Sequence, residues 1–168
     1  MKEISVALAG NPNAGKSSIF NALTGSHQHV GNWPGKTVEK KVGTFRQDGI
    51  EIKVVDLPGT YSLSAFSPEE VIARDYILND KPDVVVTVLD AANLERNLYL
   101  AVQVLELGVP VVAVLNMSDI ADARGIKIDR DKLSLALKSP VIRTIASKGE
   151  GIQDLVATIY KTGKEKTV

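Results

Sequence analysis

Apolar and β-branched residues fall in short runs along the chain, at Ile4 to Ala9, Ile52 to Val55, Val84 to Leu89, Val111 to Leu115 and Val141 to Ile145. Each run is too short for a helix and almost continuously apolar, which predicts strands buried on both faces. Between them the spacing turns helical. Leu94, Leu98, Ala101, Val102 and Leu105 share one face, with Asn93 placed to cap the helix and Gly108 and Pro110 placed to end it. Buried strands alternating with amphipathic helices predict an α/β fold: a mostly parallel six-stranded sheet, helices on both faces, and ligands bound at the carboxyl ends of the strands. Lys40 to Val54 breaks the pattern. There Gln47-Asp48-Gly49 separates two strand-like runs and predicts one antiparallel hairpin strand. Residues 1–160 read as one domain. The polar stretch Lys161 to Val168 has no periodicity and reads as a frayed end or the start of a linker.

Composition narrows the function by exclusion. Lys plus Arg and Asp plus Glu each number 20 in 168 residues, so the formal charge is zero and no basic field invites nucleic acid. The absence of cysteine removes disulfides, thiolate metal sites and a cysteine nucleophile, and fits a reducing, cytoplasmic compartment. The longest apolar runs fall well short of the roughly 20 residues that cross a bilayer, and there is no signal-peptide pattern.

The chemistry concentrates where strands end. Gly10-Asn11-Pro12-Asn13-Ala14-Gly15-Lys16-Ser17 follows the first strand and opens a helix through Ser18 and Ile19, matching the phosphate-binding loop in full. Gly10 and Gly15 let backbone wrap phosphate oxygens, and the helix amino terminus adds unpaired N–H groups. Lys16 is expected on the β and γ phosphates, and the Ser17 hydroxyl on magnesium, a hard ion that takes oxygen ligands. Asp56-Leu57-Pro58-Gly59 ends a strand beside that loop. Asp56 can orient a magnesium-bound water, and the Gly59 N–H can approach a γ phosphate and so sense its presence. Asn116-Met117-Ser118-Asp119 ends another strand. The Asp119 carboxylate can accept from N1–H and the 2-amino group of guanine, donors that adenine lacks; the plainer alternative is that Asp119 caps the next helix. In Ile145-Ala146-Ser147-Lys148-Gly149 the backbone N–H groups can face guanine O6.

These four elements, in this order, resemble the Ras-like GTPases. The stretches Gly31-Asn32-Trp33-Pro34-Gly35-Lys36-Thr37-Val38-Glu39, Asp56 to Leu63 and Ile72-Ala73-Arg74-Asp75-Tyr76 resemble the ferrous-iron transporter B (FeoB) family more closely. The resemblance implies a cytosolic G domain that binds GTP, GDP and Mg²⁺ at the cytoplasmic face of the membrane. In the full-length parent, helical and polytopic membrane domains would follow, with a homo-oligomer left open. It makes Gly35 to Glu39 switch I, with Thr37 closing on magnesium and the γ phosphate, and Thr60 to Ser67 switch II. It also implies that Asn13 holds a K⁺ near the phosphates, in place of an arginine finger; the alternative for Asn13 is a residue that tolerates an unusual turn conformation.

Three departures modify that picture. Thr60 stands where many small GTPases carry a water-orienting glutamine, so slow hydrolysis is expected. Met117 replaces the usual base-stacking lysine, which implies modest affinity, and Ala146 replaces a serine or threonine. His27 and His29 have no carboxylate or cysteine near them in sequence and read as loop residues rather than an iron site. Trp33 is the sole tryptophan, so its fluorescence should change if switch I moves. The same features also fit a GTPase of ribosome assembly or RNA modification, against which the neutral charge counts, or a nucleotide sensor without useful turnover.

Overall fold

The computed structural model describes residues 3–167. Its seven-stranded sheet has the order β2-β3-β4-β1-β5-β6-β7. The five strands expected from apolar runs are β1 (Glu3–Gly10), β4 (Ile50–Asp56), β5 (Val84–Asp90), β6 (Val111–Asn116) and β7 (Val141–Arg143), and they pair in parallel. Consecutive β1 residues serve opposite faces: Val6 and Leu8 pack with α1 (Lys16–Thr24) and α6 (Ile152–Thr167), while Ala7 and Ala9 pack with α2 (Pro68–Asp80) and α3 (Leu94–Glu106). Both faces are therefore covered, and the strands need no polar alternation. A third cluster joins Leu89 and Leu115 to α4 (Ser118–Ala123) and α5 (Arg130–Leu137).

The hairpin forms as expected. β3 (Glu39–Gln47) runs antiparallel to β4 through Asp48 and Gly49, both at positive φ (50° and 77°), the conformation of a two-residue turn matched to strand twist. The sheet carries one strand more than the six expected: β2 (Gln28–Asn32) pairs antiparallel with β3 at the sheet edge. It is polar and mostly exposed, so no hydrophobic pattern announces it.

Three further expectations are corrected. Lys161 to Thr167 continue α6 instead of fraying. The buried stripe Leu155, Ile159 runs on to Gly163, which packs so closely on Ile4 that a Cβ would come within 2.6 Å of it, and Lys166 Nζ donates to the Pro82 carbonyl at 3.0 Å. The stripe continues through a residue with no side chain, so periodicity cannot show it; Val168 lies outside the described residues. On α3, Asn93 makes no side-chain cap bond and instead donates to Asp90, which caps the preceding 3-10 turn at Ala92. Val102 is exposed, because Leu100 and Val104 take the central sheet contact.

Candidate functional site

Gly10, Asp56, Asp90, Asn116 and Arg143 end the five parallel strands on the same side of the sheet. The strand order reverses around β1, and the crevice this opens is where ligands of such sheets bind. Asn11 to Gly15 fill it, and α1 begins at Lys16. Gly15 has φ +88°, and a Cβ there would lie 2.1 Å from Asn116 Nδ2. Asn13 is also left-handed, at φ +70°, a region asparagine tolerates better than most residues, and its side chain is exposed at the groove.

A cavity of about 560 Å³ is lined by Asn11, Pro12, Asn13, Gly15, Lys16, Ser17, Ser18, Gly59 and Met117. A second, of about 140 Å³, is lined by Gly15, Ser18, Asn116, Met117, Asp119, Ile120, Ile145, Ala146 and Ser147. They share Gly15, Ser18 and Met117, so a phosphate cradle and a base pocket form one groove.

Asn116 ties its halves together. Only 3% exposed, it donates to the Ala14 carbonyl at 3.2 Å and accepts from Thr144 Oγ1 at 3.0 Å and from the Ala146 N–H at 3.1 Å. Its side chain is thus spent on holding the two loops in register. In the last loop the Ala146 N–H serves Asn116 and the Lys148 N–H serves the Ile145 carbonyl, while Ser147 lines the smaller cavity. Asn116→Ala deletes three hydrogen bonds at a buried joint. At about 1 kcal/mol each it should destabilise the domain by about 3 kcal/mol, read by urea denaturation, with nucleotide binding weakened in parallel.

In the phosphate half, Lys16 Nζ lies 2.5 Å from Asp56 Oδ1, with the two side chains 11% and 9% exposed. The Asp56-to-Thr60 turn lies directly on the phosphate loop. Leu57 N–H donates to the Leu8 carbonyl at 3.0 Å and Thr60 N–H to the Gly10 carbonyl at 3.1 Å, and a Cβ on Gly59 would come within 3.2 Å of Pro12. Thr60 is buried, so its side chain presents no water-orienting group to the groove.

Beyond it, the segment that the resemblance makes switch II is tethered by residues that motif spacing does not reveal. Glu70 accepts from the Ser62 hydroxyl at 2.8 Å and the Ser64 N–H at 3.0 Å, and Gln103 Oε1 accepts from the Leu63 N–H at 2.7 Å. The Ser62 bond, above all, holds the Glu70 carboxyl below the usual carboxylate range. Ser67-Pro68-Glu69-Glu70 has the capping-box spacing, with Ser67 Oγ accepting from the Glu70 N–H and donating to its carboxylate; that spacing is the one sequence signal that could have flagged Glu70, and Gln103 has none.

The segment that the resemblance makes switch I lies elsewhere. Trp33-Pro34-Gly35-Lys36 form a tight turn closed by Lys36 N–H to the Trp33 carbonyl at 2.9 Å, with Pro34 and left-handed Gly35 (φ +69°) at its centre. Thr37 is exposed, and none of Gly35, Lys36, Thr37, Val38 or Glu39 lines the phosphate cavity. In the base half, Met117 sits at φ +58° and starts α4 so that Asp119 lines the pocket, and Lys148 Nζ lies 3.9 Å from Asp119 Oδ2.

The profile of a family described as ferrous iron transport protein B matches residues 4–159. The chain belongs to the FeoB family. It is 50% identical over 170 residues to the Fe(2+) transporter FeoB of Escherichia coli K12, covering 98% of this chain and 22% of that protein, so it spans about a fifth of the curated relatives it matches. The FeoB G-domain from Methanococcus jannaschii is 49% identical, with a TM-score of 0.87 over 98% of this chain and 99% of that one. The cytosolic domain of T. maritima FeoB in a GDP form is 46% identical, with a TM-score of 0.95 over 99% of this chain and 66% of that one. The chain is thus a FeoB G domain, the GTPase part of that family, which decides against the assembly-factor reading.

The donor set of this FeoB G domain suits the ions expected of it. Ser17 and Asp56 offer hard oxygens at the phosphate end, where magnesium is held by a few protein ligands plus phosphates and water. Asn13 offers an amide oxygen at the same mouth. His27 and His29 are exposed at the edge strand, and no group of three His, Cys, Asp or Glu side chains suited to a metal occurs among the described residues.

Proposed function

We propose that this domain binds GTP with magnesium in the groove, hydrolyses it slowly with potassium stimulation, and regulates ferrous iron uptake by a longer membrane protein. The carrying observation is the single groove, in which Asn116 fixes the phosphate cradle of Lys16 and Ser17 against the base pocket of Asp119. A downstream helical and membrane region, and a place at the cytoplasmic face of the membrane, rest on the family and on the length of its members. No helix among the described residues is long and apolar enough to cross a membrane.

The reaction is attack of water on the γ phosphorus with GDP as leaving group, and it forms no covalent intermediate. Lys16 neutralises β and γ oxygens, the loop N–H groups bind them, and Thr37 with the Gly59 N–H places the water once switch I has closed. Ser17, Thr37 and Asp56, the last through water, would hold magnesium, which supplies further neutralisation of the phosphates. Asn13 would hold potassium through its amide oxygen. Thr60, buried and bonded to Gly10, contributes no base, so turnover stays slow.

The test is GTP turnover in potassium and in sodium chloride at equal ionic strength, with Asn13→Ala alongside. Potassium should raise turnover on the order of tenfold or more, because a cation near the β and γ phosphates would supply the charge that an arginine finger supplies. Asn13→Ala should lose that stimulation and keep the sodium rate. Equal rates in the two salts would remove the catalytic role assigned to Asn13.

A further inference from the structure

The turn that carries Thr37 is held against α2 through Trp33, with Val38 packed on the same apolar cluster. Trp33 is 7% exposed, its ring meets Tyr76 edge-on at 5.6 Å between centroids, and Lys40 Nζ lies 4.6 Å from the indole centroid. Pro34 and Lys36 line a cavity of about 350 Å³ opposite Asp75 and Asn79, so the indole rather than the tip of the turn bears the contact. Burial, and then the Asp80 carboxylate, push the Tyr76 phenol up to about 12, so that ring stays neutral at working pH.

The seat is not fully satisfied. Trp33 Nε1 meets no hydrogen-bond acceptor among the described residues, although the residue is more than nine-tenths buried. Seating the indole therefore forfeits a bond to water that the exposed side chain would keep. Ring contacts and burial of the indole favour the seat, and the orphaned donor opposes it.

We propose that Trp33 and Tyr76 are positioning residues that set the preference of this domain between GDP and GTP. Seated, Trp33 keeps Thr37 away from the phosphates and leaves the GDP contacts complete. Unseated, it frees the turn to bring Thr37 to the γ phosphate. This rests on the switch I role given to Thr37 under the proposed function. GTP then binds in proportion to the fraction of molecules with Trp33 released, whereas GDP, which makes no use of Thr37, is indifferent to it.

Tyr76→Leu keeps an apolar filler and removes the ring. Calorimetry with GDP and with a non-hydrolysable GTP analogue should show the analogue bound about threefold to tenfold more tightly than by the original chain, the range an aromatic pair commands, with GDP affinity unchanged. Because Trp33 is the sole tryptophan, its emission in the GDP complex should shift toward that of the original chain's analogue complex. Lys40→Gln, on a half-buried strand position, gives a second test should Tyr76→Leu fold poorly. It should move the ratio the same way by about twofold to fivefold. Tyr76→Phe keeps the ring and should keep the ratio. An unchanged ratio in both Tyr76→Leu and Lys40→Gln, or equal changes for both nucleotides, overturns the proposal while the functional reading stands. Failure of the original chain to bind guanine nucleotide overturns both.

Discussion

Asp119→Asn should lower GTP affinity by about two to four orders of magnitude and confer binding of xanthosine triphosphate. A carboxylate at the base pocket accepts from two guanine donors, and hydrogen bonds to a charged group contribute about 1.5–3 kcal/mol each. The amide keeps one acceptor and gains a donor. Xanthine has a carbonyl where guanine has its 2-amino group, so the new donor finds a partner on xanthine and opposes a donor on guanine. The structure makes the test clean, because Asp119 lies on α4 where it lines the pocket, and its protein ion partner is Lys148 at 3.9 Å. Inosine triphosphate, which lacks the 2-amino group, should bind the unaltered domain about tenfold to a hundredfold more weakly than GTP. Competition against a fluorescent guanine nucleotide reads all of these. Undiminished GTP binding by Asp119→Asn would remove Asp119 from base recognition, since Met117 and not Asp119 holds the cap position of α4 and no side chain caps that helix.

Lys16→Met should abolish detectable turnover and weaken nucleotide binding by about two orders of magnitude or more, since two charge-assisted bonds to phosphate are lost at about 1.5–3 kcal/mol each. The cost extends to the empty domain. Lys16 and Asp56 face each other at 2.5 Å with side chains about one-tenth exposed, so removing the ammonium strands a poorly solvated carboxylate. A loss of about 1–3 kcal/mol in folding stability is expected, below that of a deep core pair because the site opens to the groove. Lys16→Met with Asp56→Asn should recover most of that stability and none of the binding. Calorimetric titration and denaturant curves on the three variants separate the effects. Full binding by Lys16→Met would remove the lysine from the phosphate site.

Features fixed by local chemistry were legible in the sequence. The five buried strands are dense apolar runs, the Asp48-Gly49 turn uses residues that accept positive φ, and the phosphate loop places Gly15 where a Cβ would strike Asn116. What escaped depends on partners outside each segment's own pattern. The polar edge strand β2 exists because β3 offers it a ladder, His29 against Val42, and its own residues carry no pattern. Asn116 read as part of a base-recognition motif. Its bonds to Ala14 and Thr144, 102 and 28 residues away, make it a joint between loops. Thr144, a buried polar residue just after an apolar strand, was the available hint of that joint. Nor could spacing tell that the Ala146 N–H was already engaged.

The seam between Gly163 and Ile4 also determines how this domain bears load. Backbone of α6 at Gly163 rests directly on the Ile4 side chain near the start of β1, and β1 is a central strand whose far end becomes Gly10. A pull along α6 is therefore delivered to the bar that carries the phosphate loop, while the hairpin of β2 and β3, at the outer edge of the sheet, lies outside that line of force.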